Sequence, residues 1–206
     1  LKKEEAAAVA AAPADKPAKK SKPKLGMADS FKLIFSTPYI GFIAILVLAY
    51  GVSINLIEVL WKYNIKQVFP HPSDYNAFMS DFSSITGLAT ILLIIFTKGV
   101  VRRFGWLVGA IVTPLVTIVT GGLFFMFSFG EEMLVPVLSG LSVTVPLVLV
   151  WIGLTQNVLT KGTKYSLFDP TKEMAYIPLD SELKSKGKAA VDVIGGRLGK
   201  AGGGAV

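Results

Sequence analysis

The chain has 206 residues, of which 52% are hydrophobic and 17% are charged, and its mean hydropathy is +0.58. This composition is typical of a membrane protein and argues against a water-soluble domain. The sequence contains no cysteine, which excludes disulfides and thiolate chemistry. The net charge is +7, and the uneven placement of Lys and Arg along the chain is more informative than the total.

The first 30 residues form a basic tract rich in Lys, Ala and Pro. Such a segment cannot bury enough apolar surface to fold, so it predicts a disordered loop over residues 1–30. A nucleic-acid-binding tail is the alternative, but the tract has no aromatic residue to stack on bases. We therefore favour a solvated loop beside the membrane and expect no nucleic-acid partner. Because the chain begins with Leu and stops within a Gly/Ala run, we interpret it as part of a longer protein.

Residues 39–62, YIGFIAILVLAYGVSINLIEVLWK, predict the first spanning helix. The segment is long enough to cross a hydrocarbon core of roughly 30 Å at 1.5 Å per residue. Gly51, Asn55, Glu58 and Lys62 share one helical stripe. An ionised carboxylate facing lipid is costly, so we expect this stripe to face protein or a water-filled cavity. Glu58 and Asn55 are thus candidate site residues.

Residues 75–98 predict a second spanning helix, with Asp74 as its N-cap. Its first half is polar and contains Asp81, a further candidate site residue. The alternative for Asp81 is a solvated carboxylate near the outer surface. The two interpretations stay open at this point.

The third spanning helix is predicted over residues 106–129. Small residues recur there at every fourth position, at Gly109, Thr113, Thr117 and Gly121. This ridge predicts close packing against another helix, without a ligand.

The fourth spanning helix is predicted over residues 133–160, with a polar end formed by Gly153, Gln156, Asn157 and Lys161. Pro136 and Pro146 fall inside it. Prolines at membrane depth are tolerated where neighbours satisfy the freed carbonyl groups.

Residues 161–185 predict a cytoplasmic loop containing a short helix that opens at Asp169-Pro170. A fifth helix is expected to start at Lys186 and to run to residue 206, with a second close-packing ridge at Gly195, Gly199 and Gly203. Lys188 is expected near the membrane surface, facing the same interior as Glu58. The alternative is a lysine that extends its charge to the membrane surface.

Loop charges predict the orientation. Basic residues cluster in the N-terminal tract, between helices two and three and after helix four, whereas the opposite loops are mostly acidic. The positive-inside rule therefore places both ends of the chain in the cytoplasm, with four crossings between them. The residues that carry this assignment are Lys98, Arg102, Arg103, Lys161, Lys164 and Lys172, against Asp74, Glu131 and Glu132.

Three blocks of sequence, YGVSINLIEVLWK, KYSLFDPTKEMAYIPLD and KGKAAVDVIGGRLGKAGG, occur in this order. They resemble the ATP:ADP antiporter (nucleotide transporter or translocase) family of obligate intracellular bacteria and plastids. The resemblance implies an all-α, polytopic bundle like the C-terminal half of a major facilitator superfamily carrier. By the same resemblance, residues 1–30 are the central cytoplasmic loop, residues 31–206 are helices seven to ten and the start of eleven, and the N-terminal half is missing.

The function implied by the resemblance is exchange of ATP for ADP across a bacterial cytoplasmic membrane or a plastid inner envelope. In that family a glutamate in the block INLIEVLWK and a lysine near KGKAA are implicated in transport. The matching positions are Glu58 and one lysine of the pair Lys186 and Lys188, of which we favour Lys188. A nucleotide polyphosphate brings about three to four negative charges, which lysine or arginine must offset in a membrane. Glu58 then pairs with a lysine in the empty site, accepts a hydrogen bond from adenine or ribose, or carries a coupled proton.

Two other transport functions remain open within the family: a proton-coupled NTP importer and a carrier of another nucleotide. A non-transporting membrane scaffold or sensor is a different class, and the Glu58 stripe argues against it. The sequence has no HExxH, GxSxG or P-loop motif, which argues against an enzyme. ATP and ADP are therefore expected as cargo, with phosphate as a further candidate substrate, the lipid bilayer as the surroundings, and no cofactor or metal.

Overall fold

The computed structural model describes residues 26–140 and 143–201, except for the side chains of Glu131, Met133 and residues 196–201. Within these residues the chain is helical and has no β-strand, which confirms the predicted all-helical fold class. The elements are α1 Met27–Ser36, α2 Pro38–Val68, α3 Pro72–Thr97, α4 Val100–Phe104, α5 Trp106–Phe129, α6 Glu131–Leu138, α7 Val145–Thr163, a π-helical turn Lys164–Phe168, α8 Asp169–Ala175 and α9 Ser181–Ala201.

The described part of the chain contains three helical segments long and apolar enough to cross a membrane, which confirms a helical membrane bundle. They are Pro38–Val68, Pro72–Phe104 and Trp106–Phe129. Both α2 and α3 begin with a proline in their first turn, where its missing N–H group has no hydrogen bond to lose. His71 therefore takes the N-cap position of α3, and Asp74, predicted as the cap, lies in the first helical turn.

The N-terminal boundary also differs from the prediction. Residues 1–25 of the predicted disordered tract lie outside the described residues. Residues 27–30 of that tract belong to α1.

The predicted fourth helix is divided in the structure. α6 ends at Leu138 and α7 begins at Val145, so the single helix expected over residues 133–160 is not formed. Pro146 lies in the first turn of α7, where a proline is favourable, whereas in a helix interior it would remove a hydrogen bond and clash. The proline thus marks a helix start and not a break at membrane depth.

The segment predicted as a loop over residues 161–185 is largely helical. α7 continues through the π-helical turn into α8, and Asp169 has helical dihedral angles, φ −62° and ψ −45°, so it does not cap a new helix. The resulting helical run, residues 145–175, contains 31 residues, as many as α2. The connection that remains is the short stretch of residues 176–180.

This helical run pairs antiparallel with α2 over its whole length. Trp61 Nε1 donates to the carbonyl oxygen of Val150 at 2.9 Å near one end. At the other end, Tyr39 Oη donates to the carbonyl oxygen of Ala175 at 2.7 Å. Between them the rings of Tyr50 and Phe168 stack at 5.5 Å. These contacts set the register that brings side chains of α2 and α7 together.

The small-residue ridge of α5 packs against the same pair of helices. Gly109, Thr113, Thr117 and Gly121 are all buried. Thr113 Oγ1 donates to the carbonyl oxygen of Thr163 at 3.0 Å, and a Cβ at Gly121 would lie 2.8 Å from Ile57 Cδ1. α5 thus covers the seam between α2 and α7.

α9 runs parallel to the first half of α2. Added Cβ atoms at Gly187 and Gly195 would meet Ile40 and Val47, each at 2.7 Å. α9 begins at residue 181, five residues before the predicted start. Asp180 acts as its N-cap, because Asp180 Oδ1 accepts hydrogen bonds from the backbone N–H groups of Glu182 and Leu183. Of the predicted second ridge, Gly203 lies outside the described residues.

Candidate functional site

Glu58 lies at the centre of an ion cluster formed by α2 and α7. Its Oε1 is 2.6 Å from Lys161 Nζ, and its Oε2 is 3.0 Å from Lys62 Nζ. The side chains of Glu58 and Lys161 are 20% and 25% exposed, whereas that of Lys62 is 42% exposed. We call Glu58, Lys62 and Lys161 the central cluster.

The backbone places this cluster well inside the helix pair. Lys62 follows Glu58 by one helical turn, so the two side chains share a face of α2. Lys161 reaches Glu58 through the antiparallel pairing of α2 with residues 145–175. Glu58 lies ten residues before the end of α2 at Val68, a rise of about 15 Å. Ionisable groups at such depth in a membrane protein mark functional sites by default.

Trp61 and Gly153 determine how closely the two helices approach. A Cβ at Gly153 would lie 2.1 Å from Trp61 Cδ1, so only glycine leaves room for the indole ring. The indole ring also makes a T-shaped contact with the ring of Phe82 from α3, with ring centroids 4.7 Å apart. Trp61 is fully buried, and this packing holds the helix carrying Glu58 against the helix carrying Lys161.

Phe82 also contacts the cluster directly. Lys161 Nζ lies over the Phe82 ring, 4.9 Å from its centroid, which is within the range of a cation–π interaction. Lys161 therefore has a carboxylate on one side and an aromatic face on the other. Its ammonium group still has N–H donors beyond the one directed at Glu58.

The charge of the central cluster is not balanced. Two ammonium groups surround one carboxylate, which leaves one net positive charge within the helix pair. In a region of low dielectric constant, such a charge attracts an anion more strongly than it would in water. The cluster can therefore hold an anionic oxygen atom in addition to the carboxylate.

Two buried amides lie one turn before Lys161 on α7. Gln156 Nε2 donates to Thr160 Oγ1 at 3.1 Å, and Asn157 Nδ2 donates to the carbonyl oxygen of Gly153 at 2.9 Å. Gln156 Oε1 and Asn157 Oδ1 have no hydrogen-bond partner among the described residues. Both oxygens are acceptors within a segment whose polar character is visible in the sequence.

Lys161 is the residue that the sequence interpretation missed. The sequence places it at the polar end of the fourth helix and counts it among the positive-inside charges, but not among the site residues, whereas the structure places it beside Glu58. The available signal was its position one helical turn after Asn157, on the face of α7 that also carries Gly153. That spacing continues the helix through residue 161.

Asn55 lies on the predicted stripe of α2, one turn before Glu58. Its Nδ2 donates to the carbonyl oxygen of Gly51 at 2.7 Å within the same helix. The stripe as a whole is half-buried, and the fully packed face of α2 carries Ile57 and Trp61. The stripe thus borders the helix contact and does not form its centre.

Lys188 does not approach Glu58. Gly187, the residue before it, packs on Ile40, eighteen residues before Glu58, a rise of about 27 Å along α2. Lys188 Nζ donates instead to Glu173 Oε2 of α8. The structure therefore separates the two residues that the sequence placed in one interior.

A second cluster surrounds Lys188 at the surface. Lys172 Nζ of α8 lies 4.0 Å from Asp192 Oδ1 of α9, next to the exposed Lys188–Glu173 pair. The Lys172 side chain is 15% exposed, and the other three side chains are 42–57% exposed. We call Lys172, Glu173, Lys188 and Asp192 the surface cluster.

Lys186 belongs to neither cluster. It is exposed and bonds Glu182 within α9 at 2.5 Å. The carboxylate of Glu182 raises the pKa of the Lys186 ammonium group through a hydrogen bond and its charge.

Asp81 is exposed on α3 and is not part of the central cluster. The next residue, Phe82, is buried against Trp61, so the two neighbours point in different directions. Among the described residues, no group of three or more His, Asp or Glu is placed to hold a metal ion.

Comparisons with known proteins agree with the resemblance seen in the three sequence blocks. The family model described as "TLC ATP/ADP transporter" matches residues 3–206. No solved structure matches the chain.

Curated relatives named "ADP,ATP carrier protein 1" come from Chlamydia trachomatis, 50% identical over 93% of this chain, and from Rickettsia prowazekii, 48% identical over 90%. The "ADP,ATP carrier protein 1, chloroplastic" of Arabidopsis thaliana is 49% identical over 90% of the chain. The matched region spans 36%, 37% and 30% of these three relatives, respectively. By the match to its family model over nearly all its residues, the chain belongs to the TLC ATP/ADP transporter family.

Proposed function

We propose that this chain is part of a membrane carrier that exchanges ATP for ADP, and that Glu58 lies at its substrate site. The relatives that support this proposal are named ADP,ATP carriers and include bacterial and chloroplastic proteins. The observation that carries it is the central cluster, in which Glu58 and Lys161 are largely buried between α2 and α7 and the more exposed Lys62 completes the ion pairs of Glu58. The chain spans about a third of its relatives, so the complete carrier is proposed to include a further helical half.

We propose four crossings for residues 38–175. Because α2 and the helical run of residues 145–175 pair along their whole length, a membrane crossed by α2 is crossed by this run as well. The run thus takes the place of the fourth helix predicted over residues 133–160. An even number of crossings returns the chain to the side on which α2 begins.

Basic residues gather at that side of the bundle. Tyr39 of α2 and Trp106 of α5 bond the backbone of α8 there, and aromatic residues of this kind prefer the membrane interface. We call this side the basic end, and its charged residues include Lys98, Arg102, Arg103, Lys172, Lys186 and Lys188. The positive-inside rule supports a cytoplasmic basic end, in a bacterial cytoplasmic membrane or a plastid inner envelope. Four helices and the start of a fifth in this order suit the C-terminal half of a carrier of the major facilitator type.

The central cluster suits exchange because the positive charge of its two lysines can be neutralised in two ways. Without nucleotide, Glu58 neutralises part of the charge of Lys62 and Lys161. With nucleotide, a polyphosphate of about three to four negative charges takes over that role. Asn55, one turn away, is proposed to contact the nucleotide beside Glu58. ATP and ADP are then cargo, and no covalent chemistry is needed.

The other candidate residues are proposed to lie at the two ends of the bundle, outside the central cluster. Lys186 and Lys188 lie at the basic end, where positive charge raises the local concentration of anionic nucleotides. Asp81 lies in the first half of α3, toward the opposite end. Its role at the outer surface stays a proposal that substitution can test.

The proposal is tested by uptake of radiolabelled ATP into bacterial cells that express the full-length protein. We expect uptake to depend on internal ADP, to be inhibited by external ADP and to resist a proton uncoupler. Cells that carry the empty vector are the control. Uptake that needs no internal nucleotide and stops with the uncoupler would contradict exchange and favour a proton-coupled importer. Competition by other NTPs as effective as ATP would contradict adenine specificity.

A further inference from the structure

We propose that Lys161 binds the phosphate groups of the nucleotide and that Glu58 occupies this lysine when the site is empty. This inference rests on the proposed function and deepens it by naming the residue that recognises the polyphosphate. It starts from geometry, since Lys161 is the lysine that joins α7 to Glu58 on α2.

The two lysines of the central cluster are not equivalent. Lys62 lies on the same helix as Glu58 and binds Oε2, whereas Lys161 comes from the facing helix and binds Oε1. If Lys161 turns toward a phosphate, Glu58 keeps its bond to Lys62. A partly buried carboxylate left without any partner would be strongly unfavourable, and this arrangement avoids that state.

The surroundings of Lys161 favour a highly charged anion. Its side chain is only 25% exposed, and the Phe82 ring forms an apolar wall beside the ammonium group. Partial removal of water strengthens the attraction between an ammonium group and an anionic oxygen. A di- or triphosphate can therefore compete with the single charge of Glu58, and a monophosphate competes less well.

This competition gives the site a way to recognise its substrate class. ADP and ATP carry more charge than AMP, so they displace Glu58 from Lys161 more readily. The inference thus predicts selectivity for nucleoside di- and triphosphates over monophosphates. Release of the nucleotide returns Lys161 to Glu58 and restores the empty site.

Lys164 provides a matched control three residues further along the chain. It also pairs with a carboxylate, Asp169 at 2.7 Å, and also lies over an aromatic ring, that of Tyr165 at 4.2 Å. Its side chain is 26% exposed, nearly the same as that of Lys161. It differs in that its partner belongs to the same helical run, so it does not join the two helices at Glu58.

The experiment measures Kd values of the purified full-length protein for ATP, ADP and AMP by competition with radiolabelled ATP. We expect Lys161→Gln to weaken ATP and ADP binding about tenfold or more, the usual effect of losing one charged hydrogen bond. AMP binding is expected to change much less, so that the selectivity against AMP collapses. Lys164→Gln is expected to leave all three Kd values within about twofold of the wild type.

A double variant, Glu58→Gln with Lys161→Gln, is compared with Glu58→Gln alone, because both lack the carboxylate that pairs with Lys62 and differ only in the charge of Lys161. If Lys161 binds phosphate, ATP affinity and the selectivity over AMP are at least about tenfold lower in the double variant than in Glu58→Gln. If Lys161 only neutralises Glu58, the two variants have the same Kd values and the inference is wrong. This comparison also tests the role of Lys161 if the Lys161→Gln variant alone fails to insert into the membrane.

The two proposals fail in different ways. A wild-type protein that neither binds nor exchanges ATP and ADP contradicts the proposed function itself. A wild-type protein that exchanges both nucleotides, together with a Lys161→Gln variant that keeps their selectivity over AMP, contradicts only the role of Lys161.

Discussion

The central and surface clusters use the same ion-pair chemistry in different surroundings. In the central cluster, Glu58 and Lys161 are 20% and 25% exposed, and the pair joins two long helices in their interior. In the surface cluster, Lys188 and Glu173 are 42% and 47% exposed, and the pair joins α8 to the first half of α9. An exposed pair contributes about 0–1 kcal/mol to stability, whereas breaking a buried pair by removing one partner is far more damaging.

The comparison shows why the presence of a lysine or glutamate in a distinctive sequence block does not determine its role. Glu58 and Lys188 both belong to blocks that resemble the family, yet only Glu58 is enclosed by helices. The predictions that follow test whether enclosure separates residues that bind the substrate from residues that attract it.

The largest effect is expected for Glu58→Gln in the full-length carrier. The substitution keeps the shape of the side chain but leaves Lys161 and Lys62 without a counter-charge in the empty site. We expect normal membrane insertion and at least about a tenfold fall in the rate of ATP/ADP exchange. Initial rates in proteoliposomes, normalised to inserted protein, provide the measurement.

Glu173→Gln is the matched control in the surface cluster, and its exchange rate is expected to stay within about twofold of the wild type. Equal losses in the two variants would remove the distinction between the clusters. An unaffected Glu58→Gln variant would show that the central cluster has a packing role alone.

The second effect concerns the helix contact that holds the central cluster together. In Gly153→Ala, the new methyl group would lie 2.1 Å from Trp61 Cδ1, so α2 and α7 must move apart or the indole must leave its site. We expect a loss of about 1–3 kcal/mol in stability. Thermal unfolding of the detergent-solubilised carrier measures it.

Gly122→Ala is the control for that substitution. Among the described residues, no atom outside its own helical turn lies within 4 Å of a Cβ at Gly122, so the added methyl group is accommodated without a clash. Alanine also favours the helix over glycine by about 1 kcal/mol. Equal destabilisation by both substitutions would contradict the argument from the Trp61 contact.

The spanning helices and the family could be predicted from the sequence because both signals are local. Long apolar runs define α2, α3 and α5, and three sequence blocks indicate the family, which the family model confirms. The division of the predicted fourth helix was missed. The prediction places Pro136 and Pro146 inside one helix, but Pro146 lies in the first turn of α7.

The partner of Glu58 could not be predicted because it depends on the register of two helices far apart in sequence. Lys161 follows polar residues that are typical of a helix leaving the membrane, yet Gln156 and Asn157 are fully buried. Their amide hydrogen bonds within α7 allow the polar segment to remain inside the bundle. Helical periodicity determined which face Glu58 occupies, but not which residue faces it.

A smaller effect is expected for Lys188, whose ammonium group lies at the basic end. Lys188→Gln removes one positive charge from the surface that anionic nucleotides approach. We expect KM for nucleotide supplied at the basic end to rise about two- to fivefold at low ionic strength and the difference to shrink in salt, because exposed charges are screened. Lys188→Arg keeps the charge and can still pair with Glu173, so we expect it to transport normally.

The Lys188→Arg variant decides between two roles. A large fall in its exchange rate would indicate that a compact ammonium group must meet a phosphate in a confined space. That outcome would place Lys188 in the substrate site and would end the distinction drawn between the two clusters.

The smallest effect is expected for Asp81→Asn. Asp81 is exposed on α3, and its neighbour Phe82, not Asp81, packs against Trp61 and Lys161. Surface substitutions of this kind change stability by no more than about 0.5 kcal/mol, and the KM and maximal rate should stay within about twofold of the wild type. Exchange kinetics measured with nucleotide supplied from each side of the membrane test this expectation. A change confined to external nucleotide would instead assign Asp81 to the outer opening of the carrier, since a carboxylate there would repel the anionic substrate and its removal would lower KM.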